Sequence, residues 1–195
     1  MPVARKIGIF GGTFDPVHLG HLHLANVAKD TLALDEVRFL PCRISPHKTD
    51  TLPANGDDRL ALLRLATAGI SWAVIDDSEL IEPNLSYSFQ TAEAMAARFP
   101  NARLFWMMGG DQWAALPRWK NPYQLANRVE FVVLARGDLP QSRPGYRLHV
   151  IKGDHPATST AIREAISSGQ CPSWLHPDVM KEIKSRRLYQ NLLSS

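Results

Sequence analysis

The residues best suited to chemistry lie in an early run that combines two glycines, Gly11 and Gly12, with two histidines, His18 and His21. Glycine lets the backbone approach a phosphate closely, because it carries no side chain. The histidines are three positions apart, so on a helix their imidazoles share one face. The start of such a helix offers unpaired N–H groups and a positive dipole end to an anion. The run therefore predicts a binding site for a phosphate chain.

This run differs from two other phosphate-binding loops. It lacks the G-x-G-x-x-G spacing of redox dinucleotide sites, and no acidic residue closes a second strand in the expected place. It also lacks the G-K-[ST] of P-loops. For an isolated pair of histidines, a glycine turn with surface or capping imidazoles would be the simpler interpretation. The position after the first strand of an alternating pattern favours the anion site instead.

Two other segments could contact the same anion. Late in the chain, Ser159 or Thr160 can cap a helix, and Arg163 then falls in its first turn, where a cation opposes the helix dipole. An anion bound at the helix start would resolve that conflict. Lys48, in the loop after the second predicted strand, can extend over a phosphate chain as a mobile cation. An exposed arginine and a solvated lysine are the plain alternatives.

The elements that must position these residues alternate between strand and helix along the chain. Apolar runs predict strands at 6–10, 37–40, 72–75, 104–108, 129–134 and 148–151. Helical spacing predicts helices at 20–32, 58–68, 87–98, 160–168 and 178–186. This alternation predicts an α/β fold with a doubly wound, mostly parallel sheet. Ligands in such sheets bind beyond the carboxyl ends of the strands.

Length and composition limit the class of protein. At about 150 residues per domain, the 195 residues predict one domain over 1–195, with the helices from about residue 160 closing the site. The net charge of +3 suits an anionic small molecule but is too small to indicate nucleic acid. No apolar stretch approaches the length of about 18 residues that a membrane span needs. Cys42 and Cys171 are interpreted as reduced thiols of a cytoplasmic protein.

The run from Gly11 to His21 resembles the signature of the H-x-G-H nucleotidyltransferases, and the Ser159–Arg163 segment is similar to their second, ISxTxxR-type signature. Within that superfamily the chain looks like the nicotinate-nucleotide adenylyltransferases. The resemblance extends from about residue 7 to residue 189 and implies a Rossmann-like nucleotidyltransferase fold. Four landmarks indicate this branch: Pro46-His47-Lys48, Ser86-Tyr87-Ser88 with Gln90-Thr91, Gly109-Gly110-Asp111 with Trp119, and Arg136.

The resemblance implies a role for each matching position. Contacts to ATP are implied for Gly11, Gly12, Thr13, Phe14, Gly109, Asp111, Ser159 and Thr160. Catalytic contacts to the reacting phosphates are implied for His18, His21, Lys48 and Arg163. Binding of nicotinate mononucleotide is implied for Tyr87, Ser88, Trp119 and Arg136. Mg²⁺ is expected to bind mainly through the ATP phosphates, so no side chain is assigned to it.

The implied reaction transfers AMP from ATP to nicotinate mononucleotide and gives deamido-NAD and pyrophosphate. The attacking phosphate oxygen is already ionised near neutral pH, so positioning and positive groups are needed but a general base is not. A sister enzyme acting on nicotinamide mononucleotide or phosphopantetheine is one alternative. A nucleotide-binding regulator without catalytic activity is another. The sequence leaves open whether the chain is a monomer or a homo-oligomer.

Overall fold

The computed structural model describes residues 4–43, 53–81, 87–135, 139–153 and 155–190. Two of the predicted site residues, Lys48 and Arg136, lie outside these ranges, as do the landmark residues Pro46, His47 and Ser86. Their roles therefore stay predictions.

In the described part of the chain, six strands form one sheet. They are β1 (Lys6–Gly12), β2 (Glu36–Pro41), β3 (Ala73–Ile75), β4 (Arg103–Gly109), β5 (Glu130–Ala135) and β6 (Leu148–Lys152). The strand order is β3-β2-β1-β4-β5-β6, and every neighbouring pair is parallel. The direction of winding reverses between β1 and β4, which marks the crevice beyond their carboxyl ends as the expected ligand site. The predicted α/β fold with a parallel sheet is confirmed.

Helices connect the successive strands from β1 to β5, and two more follow the last strand. They are α1 (Leu19–Leu32), α2 (Gly56–Thr67), α3 (Ser78–Ile81), α4 (Ser88–Arg98), α5 (Gly110–Ala115), α6 (Pro122–Arg128), α7 (Ser159–Ser167) and α8 (Pro177–Ser185), with a 3₁₀ turn at Leu116–Arg118. All six predicted strands and all five predicted helices are present, with ends shifted by at most two residues. The short helices α3, α5 and α6 were not predicted. Within the described residues, no helix has the length and apolarity that crossing a bilayer requires.

The sheet is buried on both faces, which explains why its strands are nearly continuous apolar runs. On β4, Phe105 and Met107 enter one buried cluster, whereas Leu104, Trp106 and Met108 enter the other. Helices α1, α2, α7 and α8 cover the first face, and α4, α5 and α6 cover the second. The sheet is therefore doubly wound, and its central strands β1 and β4 are held rigidly where they end at the ligand crevice.

Candidate active site

One cavity of about 1060 Å³ opens at the carboxyl ends of the central strands. This is at the upper end of the range of about 300–1,000 Å³ typical of small-molecule sites, so it can hold two substrates together. Most of the predicted site residues that the structure describes line it, namely Gly11, Gly12, Thr13, Phe14, His18, His21, Ser88, Gly109, Asp111, Trp119, Ser159, Thr160 and Arg163. Tyr87 is not among the lining residues.

His18 and His21 form a stacked pair at the start of α1. His18 precedes the first helical residue with an extended backbone, and its backbone N–H donates to Nδ1 of His21 across 3.2 Å. The two ring centroids are 3.7 Å apart, with an angle of 26° between the planes. Because Nδ1 of His21 accepts a hydrogen bond, the neutral ring carries its proton on Nε2. In this tautomer Nε2 can donate to a phosphate oxygen.

Aromatic packing fixes the orientation of His21. The ring of Phe14 meets it edge-on with centroids 5.1 Å apart, and the ring of Phe10 lies 5.9 Å away. Gly20 leaves room for two other imidazoles, because a Cβ there would lie 3.0 Å from Nδ1 of His18 and 3.1 Å from Nδ1 of His155. A larger residue at this position would force the side chains of His18 and His155 to shift.

The start of α7 corrects one prediction. The capping residue is Thr158, whose side-chain oxygen accepts from the N–H of Ala161 across 3.1 Å, and neither Ser159 nor Thr160 caps the helix. Ser159 instead donates from Oγ to the carbonyl oxygen of Pro16 across 3.1 Å. Arg163 consequently lies beyond the first turn of α7, and the predicted conflict with the helix dipole does not arise.

Arg163 nevertheless extends to the first loop. Its Nη1 donates to the carbonyl oxygen of Asp15 across 2.6 Å, and its side chain is 24% exposed. Arg163 and His21 line the same cavity. Residues from the two signatures, more than 140 positions apart, are thus brought to one site.

The other end of the cavity is formed by the start of α4 and the loop that carries Trp119. Ser88 opens α4 and lines the cavity. Tyr87 precedes the helix, and Nζ of Lys120 lies 4.2 Å from the centroid of the Tyr87 ring. Trp119 follows the 3₁₀ turn, is half-buried and packs against the second core cluster. Its ring is therefore placed beside the helix start that the resemblance assigns to the acceptor.

Glu79 also lines this end of the cavity, and the sequence did not indicate it. Its Oε1 accepts from Oγ1 of Thr91 across 2.6 Å, and burial raises the pKa of its carboxyl group above the usual range. It belongs to the unpredicted short helix α3, so no periodic pattern placed it near the site.

Arg59 is a second residue that sequence reasoning missed. It is 1% exposed and donates to the carbonyl oxygens of Thr13 (2.7 Å), Cys42 (2.8 Å), Ala54 (2.9 Å) and Arg43 (3.3 Å). It thereby holds the ends of β1 and β2 against the start of α2. A signal did exist, because Arg59 precedes the buried Leu62 and Leu63 by three and four positions and so occupies the apolar face of its helix.

The segment between β5 and β6 forms a further part of the cavity wall that the sequence did not predict. Arg143 donates from Nη1 to the carbonyl oxygen of Trp113 across 2.6 Å, and its guanidinium lies 4.8 Å from the centroid of that indole ring. Nε1 of Trp113 in turn donates to the carbonyl oxygen of Gln141 across 3.0 Å. The buried Trp113 therefore anchors this segment beside the residues that follow β4.

Known proteins resemble this chain over almost its whole length. A family model described as cytidylyltransferase-like matches residues 9–170. A probable nicotinate-nucleotide adenylyltransferase of Neisseria meningitidis serogroup C / serotype 2a is 34% identical over 201 residues, which cover 95% of this chain and 99% of the relative. A relative with the same name from Geobacillus kaustophilus is 37% identical over 185 residues, which cover 94% of this chain and 86% of the relative.

A solved structure shares the fold. The Plasmodium falciparum nicotinic acid mononucleotide adenylyltransferase complexed with APC superposes with a TM-score of 0.78 at 16% sequence identity. The superposition covers 97% of this chain and 100% of that one. At this level of identity, the similarity shows the common architecture of the two proteins.

Proposed function

This chain belongs to the cytidylyltransferase-like family, and on that premise we propose that it transfers AMP from ATP to nicotinate mononucleotide, giving deamido-NAD and pyrophosphate. The observation that carries the proposal is that His21, Arg163 and Trp119 all line one cavity. The names of relatives that are 34% and 37% identical over nearly the full chain support the same acceptor.

The phosphates of ATP would lie between the starts of α1 and α7. Both helices begin at the cavity, where their positive dipole ends favour an anion, and His18, His21 and Arg163 add side-chain donors. We assign Gly11, Gly12, Thr13 and Phe14 to the nucleotide, together with Gly109, Asp111, Ser159 and Thr160. Lys48, outside the described residues, is proposed as a further cation for the phosphates.

In the reaction, a phosphate oxygen of the acceptor attacks the α-phosphorus of ATP, and the bond from that phosphorus to the β-phosphate oxygen breaks. Negative charge grows on the equatorial oxygens and on the departing pyrophosphate, and preorganised donors stabilise it. We assign this role to the Nε2–H of His21 and the guanidinium of Arg163, both of which line the cavity. One well-aimed donor contributes about 3 kcal/mol to such a barrier.

We propose that Mg²⁺ reaches this site with ATP. In the parts of the chain that the structure describes, no group of three or more His, Cys, Asp or Glu side chains is arranged to hold a metal ion. A cation that binds mainly through phosphate oxygens does not need such a group of protein ligands. When bound, it would neutralise charge on the leaving pyrophosphate, while Asp111 would contact the ribose or the metal–phosphate region.

The acceptor would lie between Trp119 and the start of α4. The half-buried indole offers a face for stacking on the pyridine ring, and the N-terminal N–H groups of α4 would receive the nicotinate carboxylate. Ser88, which lines the cavity, and the neighbouring Tyr87 belong to this end. Arg136, outside the described residues, is proposed to lie near the mononucleotide phosphate.

We further propose that the chain works in the cytoplasm as one domain over residues 1–195, with α7 and α8 closing the site. The unpaired thiols of Cys42 and Cys171 support a reducing compartment. The single sheet with a cluster on each face supports one domain.

The proposal is tested by measuring pyrophosphate release from ATP with a panel of acceptors. Nicotinate mononucleotide, nicotinamide mononucleotide and phosphopantetheine are each supplied in turn, with the His21→Ala variant as background. The acid is expected to give the highest kcat/KM, because a site built to donate to a carboxylate leaves an amide imperfectly paired. Higher kcat/KM with another acceptor would reassign the enzyme, and no release with any of them would favour a nucleotide-binding regulator.

A further inference from the structure

Asp15 joins three distant parts of the chain beside the proposed phosphate site. It is 9% exposed, and its Oδ1 accepts from the hydroxyl of Tyr189 across 2.8 Å and from the N–H of Ala54 across 3.2 Å. Its carbonyl oxygen accepts from Nη1 of Arg163 across 2.6 Å. The same Nη1 lies 3.8 Å from Oδ2 of Asp15, beyond hydrogen-bond distance. Asp15 therefore hydrogen-bonds Arg163 through its backbone, while its carboxylate makes only a long ion pair with the guanidinium.

Tyr189 reaches Asp15 through an unfavourable backbone conformation. Its φ is +65°, and that of Arg187 is +54°, in the left-handed region that bulky side chains rarely adopt. Such residues persist only where the surrounding structure determines them. Here the N–H of Leu188 donates to the carbonyl oxygen of Ile183 across 3.0 Å, and Leu188 and Tyr189 pack against the core. The turn after α8 is thus built to deliver a phenol to Asp15.

Ion pairs reinforce this turn. Arg186, its first residue, donates to Asp58 of α2 and to Glu182 of α8, each across 2.6 Å. These contacts anchor the end of α8 on α2, the helix that Ala54 precedes. The phenol of Tyr189 follows α8 and Ala54 precedes α2, so these two contacting helices hold both donors. Both donors bind the same oxygen of Asp15.

The phenol acts as a donor in this contact. Burial and the adjacent carboxylate of Asp15 raise the pKa of Tyr189 well above its ordinary value, so the hydroxyl keeps its proton. With two donors on Oδ1, the carboxylate cannot present both oxygens to a guanidinium. A bidentate pair needs two parallel N–H···O bonds and is among the strongest contacts that an arginine can form.

We propose that Tyr189 is a positioning residue: by holding Oδ1 of Asp15, it limits the carboxylate to one long contact with Arg163, prevents a close bidentate pair, and keeps that guanidinium directed to the ATP phosphates. The inference rests on the proposed role of Arg163 at the triphosphate. It assigns to the end of the chain a part in nucleotide binding that depends on one hydroxyl group.

The test compares Tyr189→Phe with the wild type. The affinity for a non-hydrolysable ATP analogue is measured by calorimetry without an acceptor, and KM is measured for ATP and nicotinate mononucleotide. Loss of the hydroxyl frees Asp15 to form a close bidentate pair with Arg163, so ATP binding is expected to weaken by about tenfold, in line with one hydrogen bond to a charged group. The KM for nicotinate mononucleotide is expected to change by less than about twofold. Tyr123→Phe, at a tyrosine that is 70% exposed, is the matched control.

A double-mutant cycle with Asp15→Asn separates positioning from stability. Asparagine cannot form the competing ion pair, so Tyr189→Phe is expected to change ATP affinity by less than about twofold in that background. A tenfold loss in both backgrounds, an unchanged affinity in the single variant, or equal weakening of both substrates would overturn the inference. If the wild type binds the analogue but releases no pyrophosphate, the proposed reaction fails, while the analogue affinities still decide the role of Tyr189.

Discussion

At the scale of single residues, the setting of His21 shows how the fold prepares a donor for phosphate. The backbone N–H of His18 occupies Nδ1 of His21, and stacking on His18 together with the edge of Phe14 fixes the plane of the ring. These contacts select the tautomer and the direction of Nε2 before a substrate arrives. A donor that needs no reorganisation stabilises developing charge better than a mobile one.

We expect His21→Ala to lower kcat by about a hundredfold or more, because it removes one preorganised donor from the transition state. ATP affinity should change much less than kcat, and circular dichroism should show an intact fold. His23→Ala is the control, since His23 lies on the same helix but does not line the cavity. Near-normal turnover of the His21 variant would refute its assigned role.

For Trp119 we expect a substitution to weaken the binding of the acceptor nucleotide. Stacking on an aromatic side chain contributes about 1–3 kcal/mol per ring, so Trp119→Ala should raise the KM for nicotinate mononucleotide by about tenfold or more. The KM for ATP should stay within about twofold. Steady-state kinetics with each substrate varied in turn measures both, with Tyr123→Ala as the exposed aromatic control. A larger effect on ATP would mean that the acceptor lies elsewhere in the cavity.

Residue types and spacing predicted the paired imidazoles of the first loop but not the contacts that link the two signatures. Three consecutive hydroxyl residues, Thr158, Ser159 and Thr160, stand at the start of α7, and which of them caps the helix depends on the path of the preceding chain, so Thr158 was overlooked. The hydrogen bond from Tyr189 to Asp15 spans 174 positions. No local periodicity encodes a contact of that separation.

At the scale of elements, α2 shows how one helix organises the loops around the site. Its buried Arg59 satisfies carbonyl oxygens that follow β1 and β2 and one that precedes the helix itself. These oxygens lie where the strands end and have no ladder partner further along. A planar guanidinium with five donors can serve several of them at once, whereas a lysine cannot.

Arg59→Lys should therefore destabilise the protein by about 2 kcal/mol or more, because it leaves buried carbonyl groups unsatisfied. It should also lower kcat/KM for ATP, since Thr13 and its neighbours lose their support. Urea unfolding and steady-state kinetics measure the two effects. Arg64→Lys is the matched control, an exposed arginine on the same helix. Equal stability of the two variants would contradict this role.

The elements that the sequence did not predict share a physical cause. Helices α3, α5 and α6 span only four, six and seven residues, too few for an apolar period to repeat. Pro117 and Pro122 favour loops in a sequence pattern, although each of them lies in the first turn of a helical segment. Long helices such as α1 and the buried strands were predictable because burial on a continuous face imposes a period.

At the scale of the whole molecule, charge clusters as well as apolar packing hold the sheet together. Glu130 opens β5 and accepts from Arg103 of β4 across 3.0 and 3.1 Å and pairs with His149 of β6 at 2.8 Å. Burial by itself would raise the pKa of Glu130, but the hydrogen bonds from Arg103 and His149 outweigh it and hold the pKa below the usual value. One carboxylate thus links three neighbouring strands.

Because the folded pKa of Glu130 is lowered, its contribution to stability is present above the unfolded value of about 4.3 and is lost as the pH falls through the folded value. We expect Glu130→Gln to lower the free energy of unfolding by about 1–2 kcal/mol at pH 7, with a smaller difference from the wild type near pH 3. Urea unfolding at both pH values measures this change.

Glu93→Gln is the control for Glu130→Gln. The side chain of Glu93 is 54% exposed, and its Oε1 lies 3.8 Å from Nη2 of the exposed Arg128. Exposed pairs contribute about 0–1 kcal/mol, so the Glu93→Gln variant should have nearly the same free energy of unfolding as the wild type at either pH. A Glu130 variant that behaves like the Glu93 variant would show that the cluster does not stabilise the sheet.

The architecture of the whole molecule was the most predictable level, because alternating apolar runs permit few arrangements and parallel strands place their loops at one edge. That rule drew attention to the segments directly after the strands, and residues that follow β1 and β4 do line the cavity. It could not supply the size of the cavity, nor the wall formed by Arg143 and Trp113, which depends on how a loop packs on a buried indole.

The central claim is that the starts of α1 and α7 bind one triphosphate. A crystal structure of the protein with a non-hydrolysable ATP analogue tests it most directly. We expect phosphate oxygens within about 3 Å of both Nε2 of His21 and the guanidinium of Arg163, the range of charge-assisted hydrogen bonds. Phosphates that contact only one of the two side chains, or that lie in another part of the molecule, would contradict the claim.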